Sequence, residues 1–158
     1  MSEHSVTHAT FVIERTFDAA SPARVFAAFA DPTIKARWFT GPEAWGRDEH
    51  QFDFRVGGRE ISRGGPPDGQ LITYDAVYQD IVPNERIIST YAMQVGETRI
   101  SVSVHTIELE PEGSGTHLTL TEQGAYLDSF DNVGEREHGS RELMDALAAE
   151  LQRQTSAV

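Results

Sequence analysis

The segment from Asn132 to Gln154, NVGEREHGSRELMDALAAELQRQ, is the only stretch of this chain patterned as a long helix. Asn132 is a good N-cap, and Glu135 stands three residues on, as in a capping box. Leu143, Leu147 and Leu151 recur every four residues, and Met144 and Ala148 widen the stripe. The helix therefore has one apolar face and must lie on something apolar. Traced back from Leu143, that face reaches Gly139 and Ser140, where large side chains would be expected. A glycine inside a helix costs about 1 kcal/mol against alanine, so its presence needs a reason. Two readings serve: close packing or a kink, or a cavity beneath the first half of the helix.

What the helix lies on is legible upstream. Residues 1–9 are polar and read as a flexible terminus. Thr10 to Phe17 alternates as a strand, and Ser21-Pro22 opens a short helix carrying Val25, Phe26 and Phe29. Asp31-Pro32 ends it and starts a second, with Ile34, Trp38 and Phe39 as its apolar set. The loop 40–46 carries Trp45, either packed on the surface or part of a lid. From Arg47 almost to Leu127 the chain reads as strands and turns. Phe52, Phe54 and Val56 alternate with Asp53 and Arg55, Gly57-Gly58 turns the chain, and Tyr74 and Tyr78 share a phase. Pro83-Asn84 makes another turn, after which Ile87, Tyr91, Met93 and Val95 share a phase. Two further strands, Arg99 to Leu109 and Thr116 to Gln123, complete a meander. The predicted fold is α+β: a curved antiparallel sheet of about seven strands wrapped around one long C-terminal helix, with two short helices after the first strand. Residues 10–154 form its single domain, with 155–158 as a flexible end.

Charge and composition remove several classes of function. With 13 basic against 25 acidic residues the net charge is -12, which argues against nucleic acid or an anionic membrane as a partner. No apolar run reaches the roughly 18 residues needed to span a bilayer and no signal peptide is seen, so a cytoplasmic protein is expected. There is no cysteine, hence no thiolate site. Of the histidines, only His4 and His8 have a helical ligand spacing, in the terminus. His105 and His117 lie several pairs apart in the strand register, too far to share an ion. No metal and no cofactor is expected.

Four motifs in order point to a family. Phe26-Ala27-Ala28-Phe29-Ala30-Asp31-Pro32 followed by Trp38, Asp53-Phe54-Arg55-Val56-Gly57-Gly58, Pro83-Asn84-Glu85-Arg86-Ile87 and Thr119-Leu120-Thr121-Glu122-Gln123 span nearly the whole chain. Together they resemble the START-like or Bet v 1-like superfamily with its helix-grip fold, and within it the proteins related to the activator of Hsp90 ATPase. The resemblance implies a cavity between sheet and helix. It does not choose among hydrophobic-ligand binding, cyclase- or hydrolase-like chemistry and stimulation of a chaperone. Relatives often carry a tryptophan early in the last helix; here that place falls on Ser140, which enlarges the expected cavity.

The strongest candidate site is a pair. If the apolar faces of the last two strands agree, Leu118 stands opposite Leu109 and Leu120 opposite Ile107, which puts Glu122 opposite His105. Facing the cavity, a carboxyl and an imidazole are candidates for acid and base. Ile100, Val102 and Val104 lie on the other phase, so an inward His105 calls for a bulge near it; otherwise the pair lies on the wet face. Trp38, Phe52, Phe54, Tyr74, Tyr78, Tyr91, Met93, Gly139, Ser140 and Leu143 are candidate ligand contacts, although strand aromatics also serve simply as core. Arg55 and Arg86 are assigned to contacts beside their turns. The function expected first is binding of a small hydrophobic molecule, with acid-base chemistry in the cavity. The alternative is an interaction module working on an Hsp90-type chaperone. An open sheet edge or helix face would also let two copies pair as a homodimer.

Overall fold

The structure, a computed structural model, describes residues 3–40 and 46–156. The chain runs β1 (Val6–Phe17), α1 (Pro22–Ala30), α2 (Pro32–Trp38), β2 (Gly46–Phe52), β3 (Arg59–Gly65), β4 (Ile72–Val82), β5 (Arg86–Val95), β6 (Thr98–Glu112), β7 (Gly115–Leu127) and α3 (Val133–Ser156). All seven strands form one antiparallel sheet in the order β1-β7-β6-β5-β4-β3-β2. This is the helix-grip arrangement, a sheet curved around α3.

Local chemistry sets the boundaries. The Ser21 hydroxyl accepts from the Arg24 amide at the start of α1. Asp31 closes α1 with its own amide and opens α2 by accepting from Thr33 and Ile34. At α3 the Asn132 side chain accepts from the Glu135 amide at 2.9 Å. The turns at Gly57-Gly58 and Pro83-Asn84 fall as expected, with Gly57 and Asn84 at positive φ. Arg55 and Arg86 pair beside them with Asp53 and Asp80.

Three expectations are corrected. Residues 6–9, expected in a loose terminus, begin β1, and the Ser5 amide donates to Asp128 at 2.7 Å to hold the entry. Val56 is not on a strand: β2 ends at Phe52, and Val56 is exposed in the turn before β3. The irregularity that sets the phase of β6 lies at Ile100, between the Met93–Ser101 and Gln94–Arg99 pairs, and not beside His105. Val102 and Val104 are consequently on the exposed face. The Trp45 loop lies outside the described residues.

Register turns the inner face of the sheet into rows. Ile13, Leu120, Ile107, Ile87 and Ile81 stand side by side across β1, β7, β6, β5 and β4. This row is wholly apolar and joins Met144, Leu147 and Leu151 of α3 in the core. The next row in the same strands is Phe11, Glu122, His105, Ser89 and Tyr78, and the one beyond it holds Gly124, Ser103, Tyr91, Ala76 and Glu60. The sheet thus passes from apolar to polar within one row, over the half of α3 where the large side chains stop.

Candidate functional site

Between those polar rows and the first half of α3 lies a cavity of about 650 Å³. Aromatic and aliphatic groups make up most of its wall: Phe29, Trp38, Phe39, Phe54, Tyr74, Tyr91, Met93 and Leu143 among them. Gly139 borders it, and a Cβ built there would meet nothing within 4 Å. The glycine is therefore not there for close packing; it leaves space. Ser140 borders the same space. Glu135 and Glu142 are exposed and also line it, so it opens to solvent beside α3.

Of the residues nominated from the sequence, Trp38, Phe54, Tyr74, Tyr78, Tyr91, Met93, Gly139, Ser140, Leu143, His105 and Glu122 all line the cavity. Phe52 does not. It stacks on His50 at 5.8 Å and packs edge-on to Tyr78, behind the wall.

His105 and Glu122 are opposite one another in the β6–β7 register, and both face inward, but their contacts differ. Glu122 is buried, and its Oε1 accepts from the Tyr91 hydroxyl at 2.7 Å. Its Oε2 has no hydrogen bond; Arg136 Nη1 stands off at 3.6 Å. Burial pushes this carboxyl above its ordinary range, opposed by Tyr91 and Arg136. His105 has no hydrogen-bond partner among the described residues. Burial, and next the Lys35 ammonium, pull its imidazole down to about 4, so it is neutral at neutral pH. A carboxyl pushed up and an imidazole pushed down are groups that can exchange roles as proton donor and acceptor.

Two charged clusters, neither anticipated from the sequence, flank this pair. On one side Lys35 Nζ donates to Glu60 Oε1 at 2.6 Å, Tyr78 donates to the same oxygen at 2.6 Å, and His50 meets Glu60 Oε2 at 3.1 Å. Burial alone would raise the Glu60 carboxyl. The hydrogen bond with His50 and the charge of Lys35 outweigh it and bring the group down to about 2. On the other side Arg136, in the first turn of α3, donates to the Tyr91 hydroxyl at 2.9 Å, to Ser101 at 2.8 Å and to Asp131. Its guanidinium also lies over the rings of Tyr91 and Tyr126. Arg136 thereby ties the start of α3 to β5 and β6 at the end of the cavity.

A sheet gripping one long helix over a partly polar cavity defines a helix-grip domain. The chain belongs to the family of Activator of Hsp90 ATPase homolog 1-like proteins, whose profile matches residues 19–152. Among solved structures it is similar to the Mll3558 protein from Rhizobium loti, with 49% identity over 92% of this chain and 99% of that one and a TM-score of 0.86. A protein from Rhizobium leguminosarum is 44% identical over 95% of this chain and 98% of its own, with a TM-score of 0.90. An AHSA1-like protein from Aeromonas hydrophila shares the fold at 18% identity, over 93% of this chain and 94% of that one, with a TM-score of 0.70. Among curated proteins, nothing matches the chain. No helix among the described residues is long and apolar enough to cross a membrane.

Proposed function

We propose that this protein binds a small, mostly apolar molecule in the cavity between sheet and α3, with Glu122 and His105 as its acid-base groups. The observation that carries the reading is the row change beneath α3. Where the helix presents Gly139 and Ser140 in place of large side chains, the sheet presents His105 without a hydrogen-bond partner and Glu122 with one oxygen free of hydrogen bonds. A protein using this region only as core would be expected to fill it and pair those groups. The volume lies within the range of small-molecule sites.

Native mass spectrometry of gently purified protein, followed by denaturing extraction, tests the proposal. A discrete added mass that leaves on denaturation supports it and gives the ligand class. Absence of any added mass, together with no rise in melting temperature across a broad hydrophobic library, would reject it.

Family membership supports a second reading, an interaction module acting on an Hsp90-type chaperone. It ranks behind the first because, apart from Val102 and Val104 side by side on the outer face of β6, the large exposed apolar residues stand singly: Val6 and Val12 six residues apart on β1, and Val56, Leu71 and Phe130 in separate loops. Capture of this protein on immobilised Hsp90 at low salt would promote that reading; an empty column would count against it.

A further inference from the structure

The cavity contains more ionisable groups than it leaves unpaired. Lys35 is held by Glu60 and Tyr78, and Arg136 by Asp131, Ser101 and the Tyr91 hydroxyl. No lysine or arginine on the wall stands waiting for an anion. The wall also carries the hydroxyls of Ser62, Tyr74, Ser89 and Ser140; beside them Glu122 Oε2 has no hydrogen bond, with Arg136 Nη1 at 3.6 Å, and His105 has no hydrogen-bond partner among the described residues.

These groups select a chemistry. A neutral imidazole offers one N–H and one lone pair; a carboxylate only accepts, and a carboxylic acid adds a single donor. A hydroxyl group can donate once and accept twice, so it can accept from the His105 N–H while donating to an ionised Glu122, or accept from a protonated Glu122 while donating to the His105 lone pair. An ether or ester oxygen can only accept, which leaves an ionised Glu122 unserved. A carboxylate guest would meet Glu122 inside and Asp131, Glu135 and Glu142 on its way in, all of which line the cavity, on a chain of net charge -12.

We infer that the natural ligand is an apolar molecule bearing an alcohol or phenol hydroxyl, whose oxygen sits between His105 and Glu122. This rests on the cavity-binding reading above and adds the polar group that the site selects. Cross-strand neighbours on one face have Cβ atoms about 4.5–5.5 Å apart, which sets the two side chains next to each other on the wall. The remaining wall, with Phe39, Phe54, Tyr74 and Leu143, takes the apolar body.

The test uses one fluorescent skeleton with interchangeable polar groups: pyrene, hydroxypyrene, methoxypyrene, pyrenecarboxylate and pyrenemethylammonium, titrated into the full chain at neutral pH. Hydroxypyrene is expected to bind about tenfold more tightly than methoxypyrene, as one hydrogen bond to a charged or neutral acceptor implies, and the carboxylate more weakly than either. His105 gives up no hydrogen bond on replacement, only an edge contact with the Tyr91 ring, so His105→Leu should fold and bring the hydroxyl-to-methoxy affinity ratio close to one. Glu122→Gln should narrow the same ratio. Equal affinities for hydroxypyrene and methoxypyrene, tighter binding of the carboxylate or the ammonium, or a ratio that survives both substitutions would overturn the inference while leaving cavity binding intact. If no pyrene binds, the inference falls, and the cavity reading is decided by the mass spectrometry and the hydrophobic library above.

Discussion

Lys35 Nζ and Glu60 Oε1 lie 2.6 Å apart with both side chains removed from solvent. Removing one member of such a buried pair strands the charge of the other, which costs about 3–5 kcal/mol. Lys35→Met is therefore expected to lower stability by that amount in urea unfolding. The double variant Lys35→Met, Glu60→Leu should recover most of the loss. A Lys35→Met protein as stable as the parent would show that the pair contributes nothing.

The second buried glutamate should behave in the opposite way. Burial pushes the Glu122 carboxyl above the ordinary range, so folding disfavours its ionised form relative to the unfolded chain. Glu122→Gln removes the charge and keeps the shape. At neutral pH the unliganded variant is expected to be within about 1 kcal/mol of the parent or more stable, by the same urea measurement. A loss as large as that of Lys35→Met would mean that Arg136 and Tyr91 depend on an ionised Glu122.

Acid unfolding should begin earlier than carboxyl protonation alone would bring it on. The His105 pKa is lowered from 6.5 to about 4, so in that window the unfolded chain binds the extra proton and stability falls as pH falls. Glu60 is lowered from 4.5 to about 2; its contribution is full above 4.5 and is lost as the pH falls towards 2. Glu122, shifted upward, works against both, because its protonation relieves a penalty. Urea midpoints measured across the pH range should therefore decline from about 6.5 downward in the parent, and His105→Leu should flatten the upper part of that decline while leaving the lower. Superimposable profiles between 6.5 and 4 would exclude His105 as the titrating group.

Gly139 allows a paired prediction. Its Cβ would enter open space, so Gly139→Ala should stabilise the protein by about 0.5–1 kcal/mol through helix propensity alone. Gly139→Leu places a larger side chain in the cavity and should weaken binding of any cavity ligand, read in the same pyrene titration. An unchanged affinity in Gly139→Leu would place the ligand elsewhere.

Much of this architecture was legible in the chain because alternation and turn chemistry are local. The four-residue spacing of Leu143, Leu147 and Leu151 marks α3, and the agreement of Leu118 with Leu109 and of Leu120 with Ile107 is enough to bring Glu122 opposite His105. The phase of β6 was harder. Val102 and Val104 look like core residues yet are exposed, and only the irregularity at Ile100 reconciles them with an inward His105. The Lys35–Glu60 cluster gave no signal at all. A lysine in a short helix and a glutamate after a turn read as solvated side chains, and their meeting depends on how α2 lies across the sheet, which no spacing encodes. Arg136 was hidden for the same reason, in the polar first turn of an amphipathic helix. Signs of what sits inside this cavity lay in absences, such as the small residues on α3, more than in any motif.

The pairing of β1 with β7, which brings Val6 beside Leu127, also bears on the chain as it is made. Among the described strands β1 is synthesised before the others and its sheet neighbour β7 after them, so β1 waits with an open edge while β2 to β6 pair with successive neighbours. The ribosome must release β7 before the edge closes and α3 before the apolar row is covered. The cavity is thus closed only once α3 has emerged, and products truncated before β7 would carry an open strand edge and no cavity.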